Sequence, residues 1–203
     1  NGVLQTGWCY IQNFWYYFDE NGVYLSDFIY DGFFDYNGKN MFFVNNKYLT
    51  GAQALANDAY YFDDNGFGFD GEFVICGEVC KFVKGRYVSC QNTNVLDAGW
   101  CGKKVEYVVY SDGLLKLGGS GATFQYKNKG HGNRLFIDYL EMINKIEVGK
   151  DITFLGEEVF AYLLATEVVF EEGSKLFNIS TAAFHNMPRL ESVNIPCGVT
   201  TIG

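Results

Sequence analysis

Chemistry needs side chains that attack, exchange protons or hold a metal, and this chain offers few of them. Its 203 residues include two histidines: His131 in a glycine-rich stretch and His185 beside Phe184. They read as a solvated loop residue and a surface residue of a repeat. Six cysteines (Cys9, Cys76, Cys80, Cys90, Cys101 and Cys197) permit disulfides in an oxidising compartment or buried thiols in any other. Cys76, Cys80, Cys90 and Cys101 could also offer four thiolates to zinc, but the paired C-x-x-C spacing of zinc ribbons is missing. Which cysteines pair cannot be read from the spacing. Asp63 to Asp70 is rich in oxygen ligands without the order of a calcium loop, so a hairpin turn explains it better. The acid pairs Asp63–Asp64, Glu157–Glu158 and Glu171–Glu172 are sequence neighbours that point apart, as solvated faces rather than acid/base dyads. Cys101 with His131 makes a thiol pair on paper, with no catalytic motif around it. The expectation is a protein without catalysis, cofactor or metal.

The chain is rich instead in rings: 15 Tyr, 19 Phe and 3 Trp against 24 Gly and only 2 Pro, a mixture that suits short strands joined by tight turns. The clearest unit runs Gly7, Trp8, then Trp15, Tyr16, Tyr17, Phe18, Asp19, then Asn21, Gly22, and its centre returns at Tyr60, Tyr61, Phe62, Asp63, Asn65 and Gly66. Met41 to Gly51 and Lys81 to Val88 fit as degraded copies, so the unit is near 20 residues long. Each copy predicts an aromatic strand, an Asn-Gly-type turn and a second strand; a lone hairpin is marginal, so stacking must complete its burial. The rings are then either a ligand platform or simply the core of the hairpins.

From Gln91 to Gly99 the aromatics thin out, and the stretch reads as a linker. A hairpin turned at Asp112–Gly113 follows, with strands over 105–110 and 114–117, then the tight connection Gly118 to Gly121. Residues 134–143 have apolar side chains at helical spacing (Leu135, Tyr139, Met142, Ile143). Beyond them one phrase is spoken twice and begun again. Ile146–Val148, Leu155 and Phe160 are answered by Val168–Phe170, Ile179 and Phe184, then by Val193–Ile195 and Ile202; Phe160 and Phe184 are 24 apart. A fixed period in the twenties marks a leucine-rich repeat solenoid. The expected fold class is mainly β: stacked β-hairpin repeats over 1–94, a small β cap module over 95–142, and a short leucine-rich repeat solenoid over 143–203.

Two resemblances extend this reading. The order Gly7–Trp8, Trp15 to Asp19, Asn21–Gly22 resembles the bacterial cell-wall-binding repeat family, which includes choline- and glucan-binding repeats. The resemblance implies a ligand-facing set of Trp8, Trp15 and Tyr17, with Tyr60 and Tyr61 in the later copy. Aromatic faces attract quaternary ammonium and can stack on sugar rings. Cys101–Gly102, Asp112 to Leu115, Gly119 to Gly121, and the run Asn186 to Pro196 resemble the entry module and repeats of BspA-like bacterial surface proteins.

The net charge of −9 argues against nucleic acid or an anionic membrane as main partner. No apolar run is long enough to cross a membrane and no signal peptide is visible, while Asn1 and Gly203 read as trimmed ends. The expected role is therefore a non-catalytic secreted or cell-surface protein. It would bind cell-wall polysaccharide, choline or glucan, or a host or bacterial surface protein, and self-associate through the open repeat edge near Val193 and Ile195. A structural spacer and an accessory module of a carbohydrate-active enzyme are the alternatives.

Overall fold

A computed structural model describes residues 3–12, 14–126 and 135–203. Residues 127–134, which include His131 and Arg134, lie outside the described residues. The fold is mainly β, with no α-helix among the described residues.

Four small antiparallel units come first. They are β1 (Gly7–Ile11) with β2 (Phe14–Phe18); β3 (Gly32–Tyr36), β4 (Lys39–Val44) and β5 (Lys47–Tyr48); β6 (Gly51–Leu55) with β7 (Asp58–Phe62); and β8 (Gly71–Ile75), β9 (Glu78–Val83) and β10 (Arg86–Cys90). Two-residue turns with positive φ at both positions close five of the hairpins: Asn37–Gly38, Asn45–Asn46, Ala56–Asn57, Cys76–Gly77 and Lys84–Gly85. Such turns carry the right-handed twist of the paired strands through the bend.

The two Asn-Gly pairs expected as hairpin turns at Asn21 and Asn65 do something else. In each, an aspartate starts a loop and its carboxylate accepts two backbone N–H groups. Asp19 takes those of Asn21 (2.9 Å) and Val23 (2.8 Å), and Asp63 those of Asn65 (2.9 Å) and Phe67 (2.9 Å). Each loop returns the chain to a single bridge, Phe18 to Tyr24 and Phe62 to Gly68, rather than to a second full strand. Asp63 Oδ1 is thereby engaged by its own backbone.

The stretch read as a linker is largely strand. β11 (Val95–Trp100) edges a five-stranded sheet with β12 (Val105–Tyr110), β13 (Leu114–Gly119), β15 (Lys145–Val148) and β17 (Glu167–Phe170), in that order. Val95, Ala98 and Trp100 are buried against Ile75, Phe82 and Val108, and this tertiary burial overrides the polar signal of Asn92 to Asn94. Gly99 lies so close to the third unit that a Cβ there would sit 2.7 Å from that of Ala59.

The solenoid begins inside the cap. β13 runs parallel to β15, and β15 to β17, so Leu115, Ile146 and Val168 form one file, and Leu117, Val148 and Phe170 the next. A second parallel sheet stacks β14 (Gly121–Ala122), β16 (Ile152–Leu155), β18 (Asn178–Ile179) and β19 (Thr201–Ile202). The core between the sheets holds Leu115, Ile146, Ile152, Leu155 and Phe160 at 0% exposure, each such side chain stabilising by about 1.5–3 kcal/mol. Phe160 stacks on Phe184 with centroids 5.7 Å apart. The helical spacing over 134–143 delivers only a 3-10 turn, Ile137–Tyr139. Val193–Ile195 forms no third rung beside β17, and Ile195 stays 39% exposed.

Candidate functional site

Alternation along β2 turns Trp15 and Tyr17 to one face and Phe14, Tyr16 and Phe18 to the other. The register sets Trp8 opposite Tyr17 and Tyr10 opposite Trp15, so four rings share the face that meets the second hairpin unit. Trp8 is 8% exposed. It stacks on Phe43 at 4.7 Å and meets Tyr17, Phe28, Tyr30 and Phe34 edge-on at 5.4–6.2 Å. Tyr17 is spent on Phe28, face to face at 3.8 Å. Both rings are packing partners first, and Trp8 lies in the core.

Tyr60 and Tyr61 are sequence neighbours on one strand, so they face opposite ways. Tyr60 is 6% exposed, and the Arg86 guanidinium sits 5.7 Å over its ring, held there by a 2.6 Å ion pair to Asp58. An internal cation thus takes the face that a ligand would use. Tyr61 packs 4.9 Å from Phe73 and 4.9 Å from Trp100, inside the core that joins the hairpins to β11 and β12. The five expected residues therefore do not converge.

Trp15 is the one that reaches an open surface. Half-buried, it packs edge-on against Tyr36 at 4.8 Å and tilts on Tyr10 at 5.0 Å. Together with Phe14, Asn46, Lys47, Tyr48 and Thr50 it lines a cleft of about 520 Å³. Phe14 is 65% exposed. The Asn45–Asn46 turn positions the far wall: Asn46 Oδ1 accepts from Tyr30 N at 2.6 Å, its amide donates to Phe28 O, and Asp31 accepts from Asn45 N. Gly66, at φ +81°, lies directly beneath Tyr48, where a Cβ would come within 2.4 Å of the ring. Only glycine leaves Tyr48 in place. Lys47 and Thr50, both exposed, add polar side chains to the cleft. Sequence reasoning missed Phe14, Lys47 and Tyr48. The available signal was Phe14 beside Trp15, and a tyrosine two residues past an Asn-Asn turn.

A second concavity of about 310 Å³ lies on the open face of β13, β15 and β17, lined by Lys116, Glu147, Val169 and Glu171 among others. Its carboxylates are occupied: Glu147 pairs with Lys145 at 3.1 Å, and Glu171 accepts from Lys150 N at 2.9 Å. No ring lines it.

Cys80 and Cys90 face each other across β9 and β10 and form a disulfide, which removes two of the four thiolates that a zinc site would need. Burial pushes the Cys76 thiol up to about 12, helped by Glu106, and holds that of Cys101 well above its ordinary range. Both stay protonated at neutral pH and are poor nucleophiles. At the seam between hairpins and solenoid, burial pushes Asp97 up to about 7, Asp58 adding to the rise; Tyr107, the Ala98 N–H and Arg86 offset part of it. Asp97 accepts from the Tyr107 hydroxyl at 3.0 Å and from the Ala98 N–H at 2.9 Å. The His185 ring sits edge-on to Tyr162 at 5.5 Å.

No family model matches the chain, and no curated protein matches it. Among solved structures, it is similar to a leucine-rich repeat protein from Eubacterium ventriosum, at 22% identity and a TM-score of 0.44, over 50% of this chain and 26% of that one. It is also similar to CbpJ from Streptococcus pneumoniae, at 23% identity and a TM-score of 0.31, over 55% of this chain and 35% of that one. A third similarity is to choline binding protein F from Streptococcus pneumoniae, solved in the presence of a peptidoglycan analogue, at 22% identity and a TM-score of 0.31, over 56% and 42% of the two chains. The chain thus spans 26%, 35% and 42% of these three lengths. No helix among the described residues is long and apolar enough to cross a membrane.

Proposed function

We propose that this chain is a non-catalytic binding protein of the bacterial cell surface or secreted fraction. Its hairpin array holds a saccharide, such as a cell-wall polysaccharide or glucan, in the cleft of Phe14, Trp15 and Tyr48, and its solenoid presents a face to a protein or glycan partner. One observation carries the reading: these three aromatic side chains line an open cleft beside the exposed Lys47 and Thr50, whereas Trp8, Tyr17, Tyr60 and Tyr61 are packed against their neighbours. Apolar ring faces stack on the apolar faces of sugars, and a few polar groups then fix orientation. A binding role rather than an enzymatic one is supported by the protonated, buried thiols Cys76 and Cys101. The packed state of most predicted platform residues favours a second reading, a spacer whose rings are only core.

Titrating the full chain with oligosaccharides from cell-wall polysaccharide and from glucan, and with choline resin, separates the two. Saccharide binding that weakens at least tenfold in Phe14→Ala and in Tyr48→Ala supports the cleft. Binding to none of these, or binding that ignores both variants, leaves the spacer.

A further inference from the structure

We infer that the Phe14–Trp15–Tyr48 cleft selects sugars that carry an anionic group, a carboxylate or a phosphate, and disfavours cations such as quaternary ammonium. This rests on the saccharide-binding reading above and specifies its ligand.

Among the described residues, Lys47 is the only charged one that lines the cleft, and it forms no ion pair with any of them. Neither carboxylate of the adjoining turns lines the cleft: Asp31 accepts from the Asn45 backbone, and Asp35 accepts from Gly38 N at 2.7 Å and pairs with Lys84 at 3.5 Å. The flank carries a further positive charge, since the Lys39 ammonium sits 5.0 Å over Phe67, whose ring is 6.3 Å from that of Trp15. A cage for a quaternary ammonium needs aromatic faces with a neutral or negative surround. Here one ammonium group, Lys47, lines the cleft and a second, Lys39, covers Phe67 on its flank. A carboxylate or phosphate on a stacked sugar would instead find a donor with no ion-pair partner among the described residues, and phosphate and carboxylate are what a lysine at a rim recognises as a point charge.

The size of the preference follows from Coulomb's law. Unit charges about 6 Å apart change affinity roughly threefold in bulk water and up to roughly a hundredfold at the intermediate dielectric of a partly buried site. The whole chain carries −9, so the positive spot is local, and a long polyanion would be repelled by the rest of the surface. Short oligosaccharides are therefore the right probes.

The test is calorimetric titration of the full chain with a neutral glucose tetrasaccharide, a uronate tetrasaccharide, a phosphorylated glucose oligosaccharide, and choline as competitor. Parent, Lys47→Gln and Lys47→Glu are compared; Lys47 is exposed, so both variants should fold. The inference expects either anionic probe to bind 3- to 100-fold tighter than the neutral one. That margin should vanish in Lys47→Gln, invert in Lys47→Glu, and shrink as salt rises. The ratio between uronate and phosphate identifies which anion fits. Equal affinity for neutral and anionic probes, indifference to Lys47, or displacement by choline overturns the inference while leaving saccharide binding intact. If no saccharide binds, or if Tyr48→Ala has no effect, both readings fall together.

Discussion

At the residue scale, two tryptophans on one hairpin face have been given different work. Trp8 is covered by Met41, Phe43 and the rings of the second unit, whereas Trp15 keeps one flank on the cleft. Trp8→Ala should cost about 3–5 kcal/mol in chemical denaturation, because a large ring would leave a cavity lined by other rings. Phe14→Ala, at 65% exposure, should stay within about 0.5 kcal/mol. A cost for Phe14→Ala equal to that of Trp8→Ala would place Phe14 in the core as well. Asp97 makes a pH prediction. Its carboxyl is raised to about 7 in the fold, above its ordinary value of 3.8, so the folded state holds a proton that the unfolded chain has released across that interval. Its stabilising contribution is complete below about pH 4 and is lost as pH rises through 7, a loss of roughly 2–4 kcal/mol. Asp97→Asn should therefore gain stability relative to the parent at pH 8 and show little advantage at pH 4. Parallel pH profiles for the two proteins would contradict this.

At the element scale, the sequence displayed the strands better than their turns. β12 and β13 fall where the turn at Asp112–Gly113 placed them, because a tight hairpin between two apolar runs states both its strands and its turn. Asn21–Gly22 and Asn65–Gly66 misled, since the aspartate two residues earlier captures the backbone and converts a hairpin signal into a loop. The turns that do close hairpins include Ala56–Asn57 and Cys76–Gly77, whose composition announces little. β11 was hidden for another reason: its polar approach reads as a linker, and only burial against a distant unit makes it a strand. The Cys80–Cys90 bridge was likewise unreadable, because pairing depends on register rather than on count. With its ends 10 positions apart in sequence, reducing it should cost about 2–3 kcal/mol. Unfolding with and without reductant, in a Cys80→Ala/Cys90→Ala variant and the parent, measures this directly. A reductant effect that persists in the variant would belong to some other thiol.

At the scale of the whole molecule, hairpins and solenoid share one seam. Trp100 lies 4.9–5.1 Å from Tyr61, Phe73 and Phe82, so the last hairpin units pack on the same sheet that starts the solenoid. The solenoid's period was readable because each rung repeats one file of apolar residues. Its first rung was not, because β13 also belongs to an antiparallel hairpin and is separated from β15 by a longer insertion than the later rungs have. The cleft escaped for a similar reason: its walls come from β2 and β5, in two different units, and only one of its rings belongs to the aromatic pattern of the clearest repeat. The three tryptophans make that assignment measurable, since their indole N–H signals report the cleft, the hairpin core and the seam separately. Following these signals by NMR while titrating a short oligosaccharide tests the central claim. The Trp15 signal should shift in step with binding while those of Trp8 and Trp100 hold still; binding that leaves Trp15 unmoved, or that moves Trp100 instead, would contradict it.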